Sequence, residues 1–124
     1  MVGASRSLWV AVIAAVLVSA CSTTTSSYVW ISEPQRARSA ADCVVELFFQ
    51  GKPPRDFART ARLDVHIERT SWIQPTIDAA LPALKRLACQ AGADAVIDIQ
   101  QLTSHHLEIR RLHVIATGIK WRAP

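Results

Sequence analysis

The feature that most constrains the fold is an alternation of apolar and polar residues between positions 61 and 68. The apolar positions are Ala61, Leu63, Val65 and Ile67, and the positions between and after them are Arg62, Asp64, His66 and Glu68. Successive side chains of a β-strand point to opposite faces, so this period of two predicts a half-buried strand with its charged set facing outwards.

Other segments predict one helix and three more strands. Residues 43–49 are β-branched and aromatic and precede a turn signal at 51–54, which predicts a strand. Pro75 begins a helical stretch over about 75–91, with Leu84 at the centre of its apolar stripe and therefore expected to be buried. Pro82 should kink this helix or mark the first turn of a shorter one.

Two further strands are expected at 93–102 and 107–121, separated by residues 103–106. The predicted order is therefore ββαββ. A mainly antiparallel sheet with one principal helix on one face is a small two-layer sandwich of the α+β class. We expect this domain to occupy residues 42–124.

The first 20 residues are typical of a secretory signal. Residues 8–18 are continuously apolar, about half the length needed to span a bilayer, and Arg6 precedes them. The stretch 18–21, Val-Ser-Ala-Cys, resembles the bacterial lipobox. That resemblance implies cleavage between Ala20 and Cys21, with diacylglycerol and an N-acyl chain attached to Cys21. The alternatives are an uncleaved anchor, or an ordinary signal with an incidental cysteine.

The residues after the lipobox indicate the membrane to which the protein is sorted and a spacer before the domain. Ser22 occupies the sorting position of such lipoproteins, which implies the outer membrane, with the domain facing the periplasm. Residues 21–41 are rich in Ser, Thr, Arg and Ala and predict a flexible tether. The apolar residues 28–31 interrupt it and are expected to dock on the domain or on the lipid interface.

Charge excludes one class of partner. Without its first 20 residues the chain has 13 Lys and Arg (the 14 of the whole sequence less Arg6) against 10 Asp and Glu, a formal net charge of +3. The basic residues are scattered among acids and form no stripe with aromatic residues, so nucleic acid is not an expected partner.

The two remaining cysteines, Cys43 and Cys89, are expected to form a disulfide. An even pair of thiols in an oxidising compartment is typically bridged. The alternative is two buried cysteines without a bond between them.

A family resemblance covers most of residues 43–121. The stretch 92–99 (GADAVIDI) after a helix, followed by 114–119 (VIATGI) in a late strand, resembles the YbjQ-type domain family. The stretches 45–48 (VELF) and 51–57 (GKPPRDF) are similar to the RcsF-type outer-membrane lipoproteins, which sense envelope stress. The matching residues are structural: Gly92 suits a positive φ at the end of the helix.

No catalytic constellation stands out. There is no Gly-x-Ser-x-Gly elbow and no glycine-rich phosphate loop, so an enzyme is not expected. Asp94 is expected to shape the turn from helix to strand, and Asp98 to be solvated. The histidines are His66, His105, His106 and His113. Of these, His66 and His113 fall on outward rows and can pair across the sheet if their strands are neighbours.

Two functions remain. The leading one is a non-enzymatic outer-membrane lipoprotein, held by its lipid anchor, that binds an envelope protein through an exposed sheet edge or the loop 51–57, with a role in envelope stress sensing or maintenance. The alternative is an envelope lipoprotein that binds a small ligand or metal through the four histidines. No cofactor other than the covalent lipid is expected.

Overall fold

The structure is a computed structural model that describes residues 22–39, 43–70 and 72–123. Within them one helix and five strands follow in the order β1 (Ser22–Trp30), β2 (Glu46–Leu47), β3 (Phe57–Arg69), α1 (Ile77–Gln90), β4 (Ala95–His106) and β5 (Ile109–Trp121). The five strands form a single sheet in the spatial order β1-β3-β5-β4-β2. All neighbours are antiparallel except β2 and β4, which are parallel.

The α+β class and the mainly antiparallel sheet are therefore confirmed, but the order ββαββ is not matched. The helix follows three strands, because β1 precedes the four strands that the sequence predicted. The first predicted strand, 43–49, is reduced to Glu46–Leu47, which pairs with Ala95 and Val96 at the start of β4.

Strand β3 lies between two long neighbours and carries the core. Its alternation is confirmed: the apolar residues Ala61, Leu63, Val65 and Ile67 are all buried. They share one sheet face with Leu112, Val114 and Ala116 of β5. This face needs a second layer to exclude water, and α1 supplies it.

Helix α1 begins within two residues of its predicted start and ends within one residue of its predicted end. Its buried residues are Ala80, Leu84, Leu87 and Ala88, the spacing of a single apolar stripe. Leu84 has 0% exposure, as expected. Pro82 lies inside the helix, so it does not mark the first turn. Within the described residues, no helix has the length and apolar character needed to cross a bilayer.

The N-terminal region differs most from expectation. Instead of a flexible tether from residue 21, Ser22–Trp30 is a strand that pairs with β3 along its whole length, from Ser22 opposite Arg69 to Trp30 opposite Ala61. Threonine suits strands, but an edge strand exposed on both faces shows no apolar alternation. Of the segment 28–31, Tyr28 and Trp30 pack against the core, as expected for docking on the domain, whereas Val29 and Ile31 are exposed.

The hairpin between β4 and β5 turns later than predicted. Residues 103–106, expected as the connection, belong to β4, and His106 pairs with Ile109 across a two-residue turn. Leu107 has φ of 53°. Positive φ is usually signalled by glycine or asparagine, so a leucine there gives the sequence no turn signal.

The end of α1 is held by a disulfide and a close backbone contact. Cys43 and Cys89 are bonded, with their Cα atoms 6.0 Å apart, which confirms the predicted bridge. The amide of Arg38 donates to the Cys89 carbonyl oxygen at 2.9 Å. Gly92, with φ of +68°, lies so close to this segment that an added Cβ would be 2.5 Å from the Arg36 carbonyl oxygen.

We expect Gly92→Ala to destabilise the domain more than Gly51→Ala. Both glycines have positive φ, which costs an alanine about 1–2 kcal/mol. Only at Gly92 would the new methyl group collide with backbone; at Gly51 it would meet open space. Overpacking adds about 1–3 kcal/mol. Urea unfolding of both variants measures the difference, and equal midpoints would contradict the close approach.

We also expect reduction of the disulfide to lower the thermal midpoint. Removing a native bridge from a small secreted domain typically costs about 2–5 kcal/mol. The measurement is thermal unfolding with and without reductant, using the Cys43→Ala/Cys89→Ala double variant as control. That variant should melt near the reduced protein and should not respond to reductant. A reductant effect of equal size in the double variant would show that the bridge is not its cause.

Candidate functional site

The candidate site is the sheet face opposite α1, called the open face below. The helix packs on the other face, and the described residues place no second layer of secondary structure over this one. Its cross-strand rows, from β1 to β4, are Thr25–His66–His113–Leu102, Ser27–Asp64–Ile115–Gln100 and Val29–Arg62–Thr117–Ile97.

Two histidines and a carboxylate meet near the centre of the open face. His66 lies directly opposite His113, and their ring centroids are 5.7 Å apart, which confirms the predicted pairing across the sheet. The Nε2 atom of His113 is 2.6 Å from Oδ1 of Asp64. The side chains of His113 and Asp64 are 36% and 39% exposed, so this contact is accessible from solvent. An imidazole N–H donating to this carboxylate fixes the His113 ring in place.

The other carboxylates of this face are also paired. Glu68 accepts from Nε of Arg111 at 3.0 Å, and Asp98 accepts from Arg59 at 2.6 Å. Arg62, by contrast, has no ion-pair partner within the described residues. It is exposed and therefore available to a carboxylate from outside the chain.

A groove runs beside Arg62 along the outer strand β1. Its volume is about 420 Å³, and it is lined by Ser27, Tyr28, Val29, Ile31, Arg62 and Asp64. Val29 and Ile31 are exposed large apolar side chains. The groove therefore combines apolar contact area with a cation and an acid, a mixture that suits an extended peptide better than a small charged ligand.

The four histidines do not converge. His105 and His106 lie at the far end of β4, opposite Arg110 and Ile109, and both are exposed. As consecutive strand residues they point to opposite faces. No group of three or more His, Cys, Asp or Glu side chains in residues 22–39, 43–70 and 72–123 is arranged to hold a metal ion.

Asp94 has a structural role. Its Oδ1 accepts from Arg38 at 3.0 Å, and its Oδ2 accepts from the backbone amide of Trp121 at 2.8 Å. These contacts fix the connection from helix to strand, as the sequence predicted. Asp98 is exposed and sits at a bulge in β4, where its φ is 51°. The two carboxylates are therefore engaged by different arginines.

A second cavity of about 440 Å³ lies beside the disulfide. It is lined by Arg38, Cys43, Lys85, Arg86, Cys89 and Gln90. Arg38 is engaged by Asp94, and the two sulfur atoms are bonded to each other. This cavity therefore presents lysine and arginine side chains but no free thiol.

Sequence reasoning placed the histidine pair but missed its partner and the groove. Asp64 is two residues before His66 on the same strand, so the alternation alone places both on one face. Its contact with His113 depends on the register between β3 and β5. The groove depends on β1, which the sequence did not predict. The expected cleavage and lipidation residues, Ala20 and Cys21, lie outside the described residues.

Comparison with known proteins identifies no family. No family model matches the chain, and no curated protein matches it. Among solved structures, the chain is similar to the crystal structure of a Francisella virulence factor, FvfA, in the orthorhombic form. The identity is 15%, the match covers 76% of this chain and 97% of that chain, and the TM-score is 0.48. A similarity of this degree carries no argument about function.

Proposed function

We propose that the chain is a non-enzymatic outer-membrane lipoprotein whose domain faces the periplasm and binds an envelope protein along the outer edge of β1. The resemblance of residues 18–21 to the lipobox supports the location in the outer membrane. The resemblance to RcsF-type domains supports a role in envelope stress sensing or maintenance. The observation that carries the binding role is the outer edge of β1, which pairs with no other strand of the described residues.

The outer edge of β1 lacks the features that usually keep an edge strand from pairing with another chain. Strand β1 has nine residues, no charge, no proline and a continuous register against β3. Natural edge strands are normally short, bulged or marked by lysine or proline, because free backbone donors and acceptors recruit other strands. A nine-residue edge in continuous register and without these devices is suited to receive a partner strand.

The residues that line the groove beside this edge indicate which side chains a bound peptide would carry. A peptide that adds a strand gains affinity from backbone hydrogen bonds and specificity from pockets for alternate side chains. Val29 and Ile31 offer apolar contact, and Arg62 is a cation with no ion-pair partner among the described residues. We therefore infer that the partner contributes an extended segment with at least one apolar side chain and one carboxylate.

One observation favours the alternative of a small-ligand or metal-binding lipoprotein: on the open face His113 contacts Asp64 and lies beside His66. Metal analysis of untagged protein, compared with a variant in which all four histidines are alanine, tests it. Stoichiometric metal in the wild type and none in the variant would favour this function over strand addition.

The lipid anchor makes a direct prediction. Cys21→Ser should leave an unprocessed precursor without lipid, because the thiol is the point of attachment. Labelling with a radioactive fatty acid and measuring the mass of the product check both steps, with Ser22→Ala as the neighbouring control. Label retained in Cys21→Ser would refute the lipoprotein assignment.

The edge makes a second prediction. With a photo-crosslinking residue at Thr25 of the full chain in intact envelopes, we expect a discrete adduct with another protein. The same residue at Asp78, on the exposed side of α1, should give none. A charge introduced by Val29→Lys should abolish the Thr25 adduct without changing the melting temperature, since Val29 is exposed. Equal adducts at both positions, or an adduct that survives Val29→Lys, would contradict binding at the edge.

A further inference from the structure

We propose that one end of the domain rests on the phospholipid headgroups, and that Trp72, Ile73 and Leu107 enter the interfacial layer. We call this end, with Arg69 and Arg110, the membrane end. The inference rests on the lipidation of Cys21 proposed above. In addition to the covalent anchor, the folded domain itself would then bind the surface of the bilayer.

The register of the sheet locates the anchor. Ser22 pairs with Arg69 of β3, and Arg69 pairs with Arg110 of β5. Cys21 directly precedes Ser22 in the chain, so an anchor at Cys21 is covalently joined to the first residue of this row. Because Ser22 is already part of β1, no residue lies between the proposed lipidation site and the sheet. The acyl chains therefore enter the bilayer beside the membrane end.

The same end exposes large apolar side chains. Trp72, Ile73 and Leu107 are 65%, 57% and 68% exposed. The amide of Trp72 donates to the Glu108 carbonyl oxygen at 3.1 Å, which ties the loop after β3 to the β4–β5 hairpin. Arg110 lies over the Trp72 ring at 4.8 Å and donates to the Leu107 carbonyl oxygen at 2.7 Å. These contacts hold the exposed residues together as one surface.

The backbone at this surface is not one that favours such residues. Trp72 has φ of 65° and Leu107 has φ of 53°. Left-handed turn positions normally take glycine, asparagine or aspartate. A tryptophan and a leucine in these conformations, both turned to solvent, point to a role for the side chains rather than for the turns.

The chemistry matches a membrane interface. Tryptophan concentrates at the headgroup level, where its amphipathic ring is stable, and arginine beside it binds anionic lipid. If the membrane end is seated there, β1 rises from the bilayer for about 26 Å, since its nine residues span eight steps of roughly 3.3 Å each. The groove at Val29 and Ile31 then lies at the far end of this strand, away from the lipid.

The test is depth-dependent quenching of tryptophan fluorescence. The full chain is expressed, extracted with its lipid, and reconstituted in phosphatidylethanolamine–phosphatidylglycerol vesicles with brominated acyl chains. Trp30→Phe/Trp121→Phe leaves Trp72 as the reporter after signal cleavage, and Trp30→Phe/Trp72→Phe leaves Trp121. Trp121 is eleven residues along β5 from Arg110, about 36 Å, beyond the reach of the quencher.

We expect quenching of Trp72 to exceed that of Trp121 at least threefold. Leu107→Glu should reduce the Trp72 quenching at least twofold, whereas Phe49→Glu, a matched change at another exposed apolar residue, should not. Circular dichroism checks that each variant is folded. Equal quenching of the two reporters in protein whose mass shows the lipid would overturn this inference alone. Absence of the lipid would overturn the proposed lipoprotein and this inference together.

Discussion

The pairing of β3 on both sides is the interaction on which the rest of the structure depends. Its antiparallel ladders to β1 and β5 fix the register that brings Ala61, Leu63 and Val65 under α1. The same register sets the polar residues between them on the open face. A slip of one residue would exchange the two sets, burying Arg62 and Asp64 and exposing the core. Burial of the apolar face therefore fixes the positions of the polar residues on the open face as well as the fold.

The two ends of the sheet are built differently. At one end, the disulfide, the Arg38–Asp94 pair and the close approach at Gly92 hold the helix, the segment before β2 and the start of β4 together. At the other, the loop after β3 and the β4–β5 hairpin join through one backbone hydrogen bond and a stacked arginine, with apolar side chains turned outwards. The first end is held by a covalent bond and an internal ion pair, and the second has apolar surface that nothing in the described residues covers.

The sequence was informative wherever periodicity or composition carried the signal. The period of two identified β3, the apolar stripe identified α1, and the even cysteine pair identified the bridge between Cys43 and Cys89. Two features could not be predicted from the sequence, for physical reasons. Strand β1 is ordered by its hydrogen bonds to β3. Because these bonds are made by the backbone, they require no recognisable pattern of side chains in a run of serine and threonine. The hairpin turn uses Leu107 at positive φ, where the usual glycine signal is missing. The pairing of His66 with His113 could be predicted, but the contact of His113 with Asp64 could not, because it depends on the register between β3 and β5.

The order of β1 changes what an anchor at Cys21 would do. A flexible spacer of twenty residues would let a domain sample a large volume above the membrane, since its mean reach is about 5–6 Å multiplied by the square root of its length. Because Ser22 is already part of β1, a lipid on Cys21 would leave the domain little of that freedom. The sheet would then set the position of the domain relative to the bilayer, and the edge of β1 would be presented at one height and in a narrow range of orientations. Binding at such an edge loses less orientational entropy than binding by a tethered domain, but it is restricted to partners that present a strand within about 30 Å of the membrane surface.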